Sequence, residues 1–159
     1  MICLETNTEQ ETIAIGQLIA KYGFPGAVIL LDGDLGAGKT TLTGGIALGL
    51  GIREKVMSPT FNILRCYFHA RIPLYHIDAY RLEEGTNRDI GLEEFIEGDG
   101  ICVIEWPKMI EEWLPMSYLS IQIQHIDETK RRILVDSKDT RFLPLLNALK
   151  EAFLCTESF

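Results

Sequence analysis

The sequence predicts an α/β sandwich built around a mixed, mostly parallel sheet flanked by helices. Three observations carry that prediction. The run "AVILL" at 27–31 is apolar without alternation, as expected of a strand covered on both faces. It leads directly into the glycine-rich "GDLGAGKTTL" at 33–42, and Thr40 to Leu50 then reads as a helix stopped by Gly51. "ICVIE" at 101–105 is a second unbroken apolar run, and it ends on an acid.

The remaining elements follow from local signals. Thr8 with Glu11 three residues later forms a capping box, in which each side chain satisfies a backbone donor near the other. Ile15, Leu18, Ile19 and Tyr22 then lie on one helical face, and Gly23 suits the stop. "FNILRCYF" and "PLYHID" read as two antiparallel strands joined around His69 to Ile72. "LSIQIQHI" alternates cleanly and "RRILV" follows a short polar turn, which predicts a second hairpin. Phe142, Leu145, Leu146, Leu149 and Phe153 give a last amphipathic helix. No repeat, low-complexity tract or linker divides the chain, so residues 1–159 are read as a single domain.

Composition excludes several function classes. Net charge is −8, and the one dense basic cluster, Lys130-Arg131-Arg132, is flanked by Asp127, Glu128 and Asp136. A bare basic patch for gripping nucleic acid is therefore not expected, because neutralising phosphates takes clustered Lys and Arg. Any RNA would be held by a partner. Cys3, Cys66, Cys102 and Cys155 lack paired metal spacing, and His69, His76 and His125 are too scattered to suggest zinc. The cysteines read as reduced thiols of a cytoplasmic protein that packs them as small hydrophobes. No apolar run reaches the roughly 20 residues of a membrane span, so no membrane is expected among the partners.

Gly33, Gly38, Lys39 and Thr40 satisfy G-x-x-x-x-G-K-[ST]. Two glycines, a lysine and a Ser/Thr at this spacing arise by chance in roughly 0.5% of chains this long, and the flanking strand and helix lower that further. The loop Gly33, Asp34, Leu35, Gly36, Ala37, Gly38, Lys39, Thr40 and Thr41 is expected to wrap nucleotide phosphates. Its glycines allow successive N–H groups to point inward, and the helix adds its positive N-terminal end. Lys39 supplies a charge for the β- and γ-phosphates, and the Thr40 hydroxyl is placed to ligate Mg²⁺.

A guanine-reading N-K-x-D is absent, so ATP is expected rather than GTP. Asp78 in "LYHIDAYRL" and Glu105 in "ICVIEWP" sit at the ends of apolar strands. Either could hold the metal through a water while the other orients the attacking water; the plain alternative is a carboxylate facing solvent. In "SPTF" at 58–61, Pro59 fixes the backbone and Thr60 could direct its hydroxyl toward the γ-phosphate, unless the segment is simply a turn. Trp106, next to Glu105, reads either as core packing or as a lid or partner contact.

Taken in order, "GDLGAGKTTL", "SPTF", "LYHIDAYRLEE", "IGLEEFI" and "ICVIEWP" closely resemble the TsaE (YjeE) family of small bacterial ATPases, with the likeness running from the first helix to about Val135. The resemblance implies a P-loop NTPase-like fold and Mg²⁺-dependent ATP hydrolysis that supports threonylcarbamoyladenosine (t6A) formation at adenosine 37 of tRNA. It implies docking on the TsaD–TsaB complex, with tRNA met through those partners and hydrolysis resetting the complex between turnovers. By position it implies that Lys39 and the loop amides bind phosphates and that Thr40 and Glu105 hold magnesium. It further implies that Asp78 supports water activation, that Trp106 sits beside the site, and that Glu9 and Arg132 lie near the base or ribose. The family often opens the last hairpin strand with Gly-Arg, where this chain has "DETKRRI", so the choice among Lys130, Arg131 and Arg132 stays open. Ala79 also stands where a bulkier apolar residue is common.

Two other readings compete. A small-molecule P-loop kinase would carry an arginine-rich lid, and this chain offers Arg81 and Arg88 in that stretch without a clear one. A nucleotide-gated binding module would hydrolyse ATP only incidentally.

Overall fold

The computed structural model describes residues 1–57, 59, 63–80, 82 and 91–153. Its strands are β1 (Ile2–Thr6), β2 (Val28–Asp32), β3 (Leu64–Tyr67), β4 (Leu74–Asp78), β5 (Ile101–Glu105), β6 (Leu119–His125) and β7 (Arg131–Ser137). Its helices are α1 (Glu9–Tyr22), α2 (Lys39–Gly49), α3 (Leu92–Ile96) and α4 (Leu143–Phe153), with 3₁₀ segments at Pro107–Trp113 and Thr140–Phe142. The strands form one sheet in the order β1-β7-β6-β2-β5-β4-β3. β2 runs parallel to β5 and β6, and β4 runs parallel to β5. The β3–β4 and β6–β7 hairpins and the β1–β7 pair are antiparallel. The sheet is therefore mixed with a parallel centre, as the sequence predicts.

The unbroken apolar character of β2 has its expected cause. Ile29 and Leu31 join one core with Ile15, Ile19, Leu42 and Ile46 of α1 and α2 and with Leu145 and Leu149 of α4. Val28 and Leu30 join a second core on the opposite face with Ile77, Leu92, Ile96, Ile104 and Ile110. Each such side chain contributes about 1.5–3 kcal/mol when fully buried, so a polar residue anywhere from Val28 to Leu31 would damage one core or the other.

The Thr8–Glu11 box forms: Thr8 Oγ1 accepts the Glu11 amide at 3.1 Å, and the Glu11 carboxylate accepts the amide of Asn7, next to Thr8, at 2.9 Å. Two local details differ from expectation. Gly23 ends α1 as expected, but with φ −68°, outside the left-handed region; a Cβ there would stand 2.6 Å from Ile101 Cδ1, the movable end of a side chain. The last helix starts at Leu143, after a 3₁₀ turn whose second amide, that of Arg141, is capped by the Asp139 carboxylate at 2.9 Å. No helix among the described residues is long and apolar enough to cross a membrane.

Candidate nucleotide site

At the C-terminal end of β2 the chain turns through the glycine loop into α2. Asp32 Oδ1 accepts the Gly33 amide at 3.0 Å, and the Asp34 carbonyl accepts the Ala37 amide at 3.0 Å. Gly36 and Gly38 have φ of 79° and 114°, which side chains rarely adopt. Gly38 precedes the first residue of α2 and offers no side chain to cap it, so the first amides of the helix stay available to an anion. The loop opens onto a cavity of about 740 Å³.

Leu35, Gly36, Gly38, Lys39, Thr40 and Thr41 line that cavity from the loop, Asp78 and Glu105 from the strand tips. Glu9, Thr12, Tyr80, Glu128, Thr129 and Arg131 close its sides. Gly33, Asp34 and Ala37 shape the loop without lining the cavity. A Cβ on Gly33 would meet the Ile123 carbonyl at 2.7 Å, so that glycine lets the loop press against β6.

Parallel pairing sets the two acids side by side: Asp78 is the register partner of Glu105 across β4 and β5. The backbone reinforces the alignment, because the Ala79 amide donates to the Glu105 carbonyl at 3.1 Å and the Asp78 amide to the Ile63 carbonyl at 2.8 Å. Lys39 reaches in from the start of α2, with Nζ 4.0 Å from Glu105 Oε1 and 3.9 Å from the centre of the Trp106 ring. Burial pushes the Lys39 ammonium below its ordinary value, and the Glu105, Asp78, Asp32 and Asp34 charges oppose that shift. Lys39 Nζ makes no hydrogen bond among the described residues.

Two observations bear on what the cavity could hold. A buried ammonium without a hydrogen-bond acceptor suits a polyanion. The Thr40 hydroxyl and the Asp78 and Glu105 carboxylates are hard oxygen donors, the kind magnesium takes when it arrives on phosphate and keeps several waters. The residues present therefore fit a magnesium–nucleotide.

Trp106 does not line the cavity itself but packs behind two residues that do. It holds a left-handed backbone, φ 56°, at the turn out of β5, and its ring packs on Tyr80 at 4.9 Å as well as on Lys39. Thr60 lies outside the described residues, as do Arg81 and Arg88. Glu9 opens α1 at the cavity wall.

Of the three basic residues in the last hairpin, Arg131 meets the site. Its Nε donates to the Ala37 carbonyl at 2.8 Å, whereas Arg132 is absent from the lining and Lys130 pairs with Glu5 at 2.5 Å. Strand alternation is the reason: Arg131 shares a face with buried Ile133 and Val135, the face that carries α1 and α2, and Arg132 points the other way.

Sequence reasoning missed the lining residues Thr12, Tyr80, Glu128 and Thr129, and it missed His76, which stands behind the lining against Glu105. His76 is fully buried on β4, and its Nε2 lies 2.5 Å from Glu105 Oε2. A signal was available, since His76 is two residues before Asp78 and therefore on the same face of a strand.

Comparison with known proteins identifies the family. Residues 6–133 match the family model described as threonylcarbamoyl adenosine biosynthesis protein TsaE. The tRNA threonylcarbamoyladenosine biosynthesis protein TsaE of Bacillus subtilis (strain 168) is 44% identical over 144 residues, covering 91% of this chain and 90% of that protein. The protein of the same name from Treponema pallidum (strain Nichols) is 40% identical over 131 residues, 82% of this chain and 96% of that one. The crystal structure of Bacillus subtilis YdiB superposes with a TM-score of 0.80 at 39% identity, covering 94% of each chain. The fold is P-loop NTPase-like, and with the family model spanning most of its length, the chain belongs to the TsaE family.

Proposed function

We propose that this protein is a Mg²⁺-dependent ATPase that serves t6A formation on tRNA in the cytoplasm, acting with the TsaD–TsaB complex. The observation that carries the reading is the convergence of Lys39, Asp78 and Glu105 on one cavity at the ends of β2, β4 and β5. The pathway is supported by the names of the family model and of the relatives.

In this reading the loop amides and Lys39 bind the β- and γ-phosphates, and the ammonium opposes charge that builds on the phosphoryl oxygens. The chemistry that magnesium would supply, when bound, is neutralisation of phosphate charge. Thr40 and Glu105 are the residues that would hold the ion. Asp78, beside Glu105, orients the attacking water as base or hydrogen-bond acceptor. Trp106 covers the Lys39 ammonium and excludes water from it, which strengthens its pull on phosphate. With net charge −8 the chain itself is a poor tRNA surface, so tRNA is met through the partners.

ATP turnover should be measured alone, with TsaD–TsaB, and with a panel of small hydroxyl acceptors. Phosphate release stimulated by the protein pair is the expected result. Transfer of phosphate to a small acceptor would replace this reading with a kinase, and nucleotide binding without phosphate release in any condition would replace it with a binding module.

A further inference from the structure

The Glu105 side chain has more freedom than its proposed task tolerates. A glutamate at a strand end turns about three side-chain bonds, and a catalytic group must be held within about 0.5 Å of its working position. Its two oxygens are treated differently. Oε1 faces the cavity side, 4.0 Å from Lys39 Nζ, while Oε2 faces into the sheet and meets His76 Nε2 at 2.5 Å. His76 is 0% exposed and Glu105 3%, so water does not compete for this bond.

The sheet dictates the pairing. His76 lies beside Val103 on the neighbouring parallel strand, one face-repeat below the Asp78–Glu105 pair, so the imidazole comes up under the carboxylate. A core at this depth is ordinarily aliphatic, and Leu74 and Val103 on the same face are fully buried and apolar. A histidine here leaves Nδ1 without a hydrogen bond among the described residues. Burying a polar atom in that way carries an uncompensated desolvation penalty. Packing alone does not account for such a choice, because leucine would fill the space without the penalty.

We infer that His76 is a positioning residue, which donates from Nε2 to Glu105 Oε2 and fixes the carboxylate so that Oε1 is presented to the nucleotide side of the cavity. The inference rests on the functional reading of Glu105 above. It concerns geometry: the bond selects one rotamer and spares the side chain that ordering when nucleotide binds.

The test compares His76→Leu, His76→Gln and Glu105→Gln with the unaltered chain. Gln can place an amide N–H near the position of Nε2, whereas Leu fills the volume without a donor. Losing a hydrogen bond to a charged group corresponds to roughly 10- to 150-fold. His76→Leu should lower kcat for ATP by that range, with KM and the metal-free affinity for ADP within about threefold of the parent, and His76→Gln should recover most of the rate.

A measurement on the unaltered fold stands beside the kinetics. The Nε2-bound proton of His76, observed by NMR on histidine-labelled protein, should lie far downfield and exchange slowly. It should move upfield in Glu105→Gln, where a neutral amide replaces the charged acceptor. His76→Leu turning over within twofold of the parent, His76→Gln no better than His76→Leu, or a proton signal unmoved by Glu105→Gln would each overturn the inference. If Glu105→Gln itself hydrolyses ATP at the parent rate, the functional reading fails first. If Glu105→Gln is inactive while His76→Leu is not, the positioning role alone fails.

Discussion

Arg131 Nε donates to the Ala37 carbonyl at 2.8 Å, joining the last hairpin to the phosphate loop across 94 positions of sequence. The same guanidinium donates from Nη1 to the carbonyls of Asp127 at 2.6 Å and Lys130 at 3.0 Å. One planar group therefore staples the hairpin turn, whose Glu128 and Thr129 line the cavity, to the loop opposite.

Arg131→Ala should lower nucleotide affinity about tenfold, since a charged hydrogen bond that orders the loop contributes roughly 1.5–3 kcal/mol. Arg131→Lys should recover little, because an ammonium cannot span the three carbonyls with a fixed fork. Arg132→Ala should bind within about twofold of the parent. Calorimetric titration with ADP checks all three, and a larger loss from Arg132→Ala than from Arg131→Ala would refute the assignment.

Lys39 sits in a stability conflict. Burial lowers its pKa in the folded chain, so the charged form is disfavoured by folding even with Glu105 and Asp78 nearby. Lys39→Met removes the ammonium and keeps its volume. The variant should melt no lower than the parent without nucleotide, yet bind ATP roughly 10- to 150-fold more weakly. Thermal melts with and without nucleotide test both halves, and a clear fall in the unliganded Tm would show that the ammonium stabilises the fold. For the parent, the sign is that stability rises with pH between the lowered folded value and the ordinary one of about 10.4.

Elements with strong local signals were legible in the sequence, and elements made by distant pairing were not. "AVILL" and "ICVIE" declare buried parallel strands because no polar residue interrupts them, and their shared end locates the cavity. β1 is only five residues long and owes its existence to β7, more than a hundred positions away. α3 and the 3₁₀ segment after Trp106 are likewise too short to show a period. The acids Asp78 and Glu105 could be read as strand-tip residues, but their adjacency depends on strand order and register. His76 was passed over because its partner is 29 positions along the chain. Arg131 could have been chosen over Arg132 from the parity of Ile133 and Val135, once the face carrying the helices was known.

Two aspartates should make stability sensitive to acid. The amides of Thr129 and then Lys130 hold the Asp127 carboxyl below the ordinary range, and the Arg141 guanidinium does the same for Asp139. Folding favours the ionised form of each. Their contribution is therefore complete above the unfolded value of about 3.9 and is lost as pH falls through the depressed folded values. Tm should drop below about pH 4, and the drop should be shallower in the double variant Asp127→Asn, Asp139→Asn. Superimposable acid limbs in parent and variant would remove both residues from the account.

Neighbouring glycines in α2 should respond oppositely to alanine. A Cβ on Gly45 would stand 2.3 Å from the Ile13 carbonyl oxygen, where α1 and α2 touch backbone to backbone, whereas a Cβ on Gly44 meets nothing within 4 Å. Gly44→Ala should therefore stabilise by about 0.5–1 kcal/mol through helix propensity alone. Gly45→Ala gains the same propensity but forces the helices apart, a net loss of at least about 1–3 kcal/mol because neither backbone can rotate away as a side chain would. α2 begins with Lys39, so the displaced helix also carries the ammonium off its position, and nucleotide affinity should fall in Gly45→Ala while Gly44→Ala keeps it. Urea unfolding and ADP titration on the two variants read both effects. Equal stability of the pair would mean that the α1–α2 contact yields to a methyl group, and the close approach would then have no part in holding the loop in place.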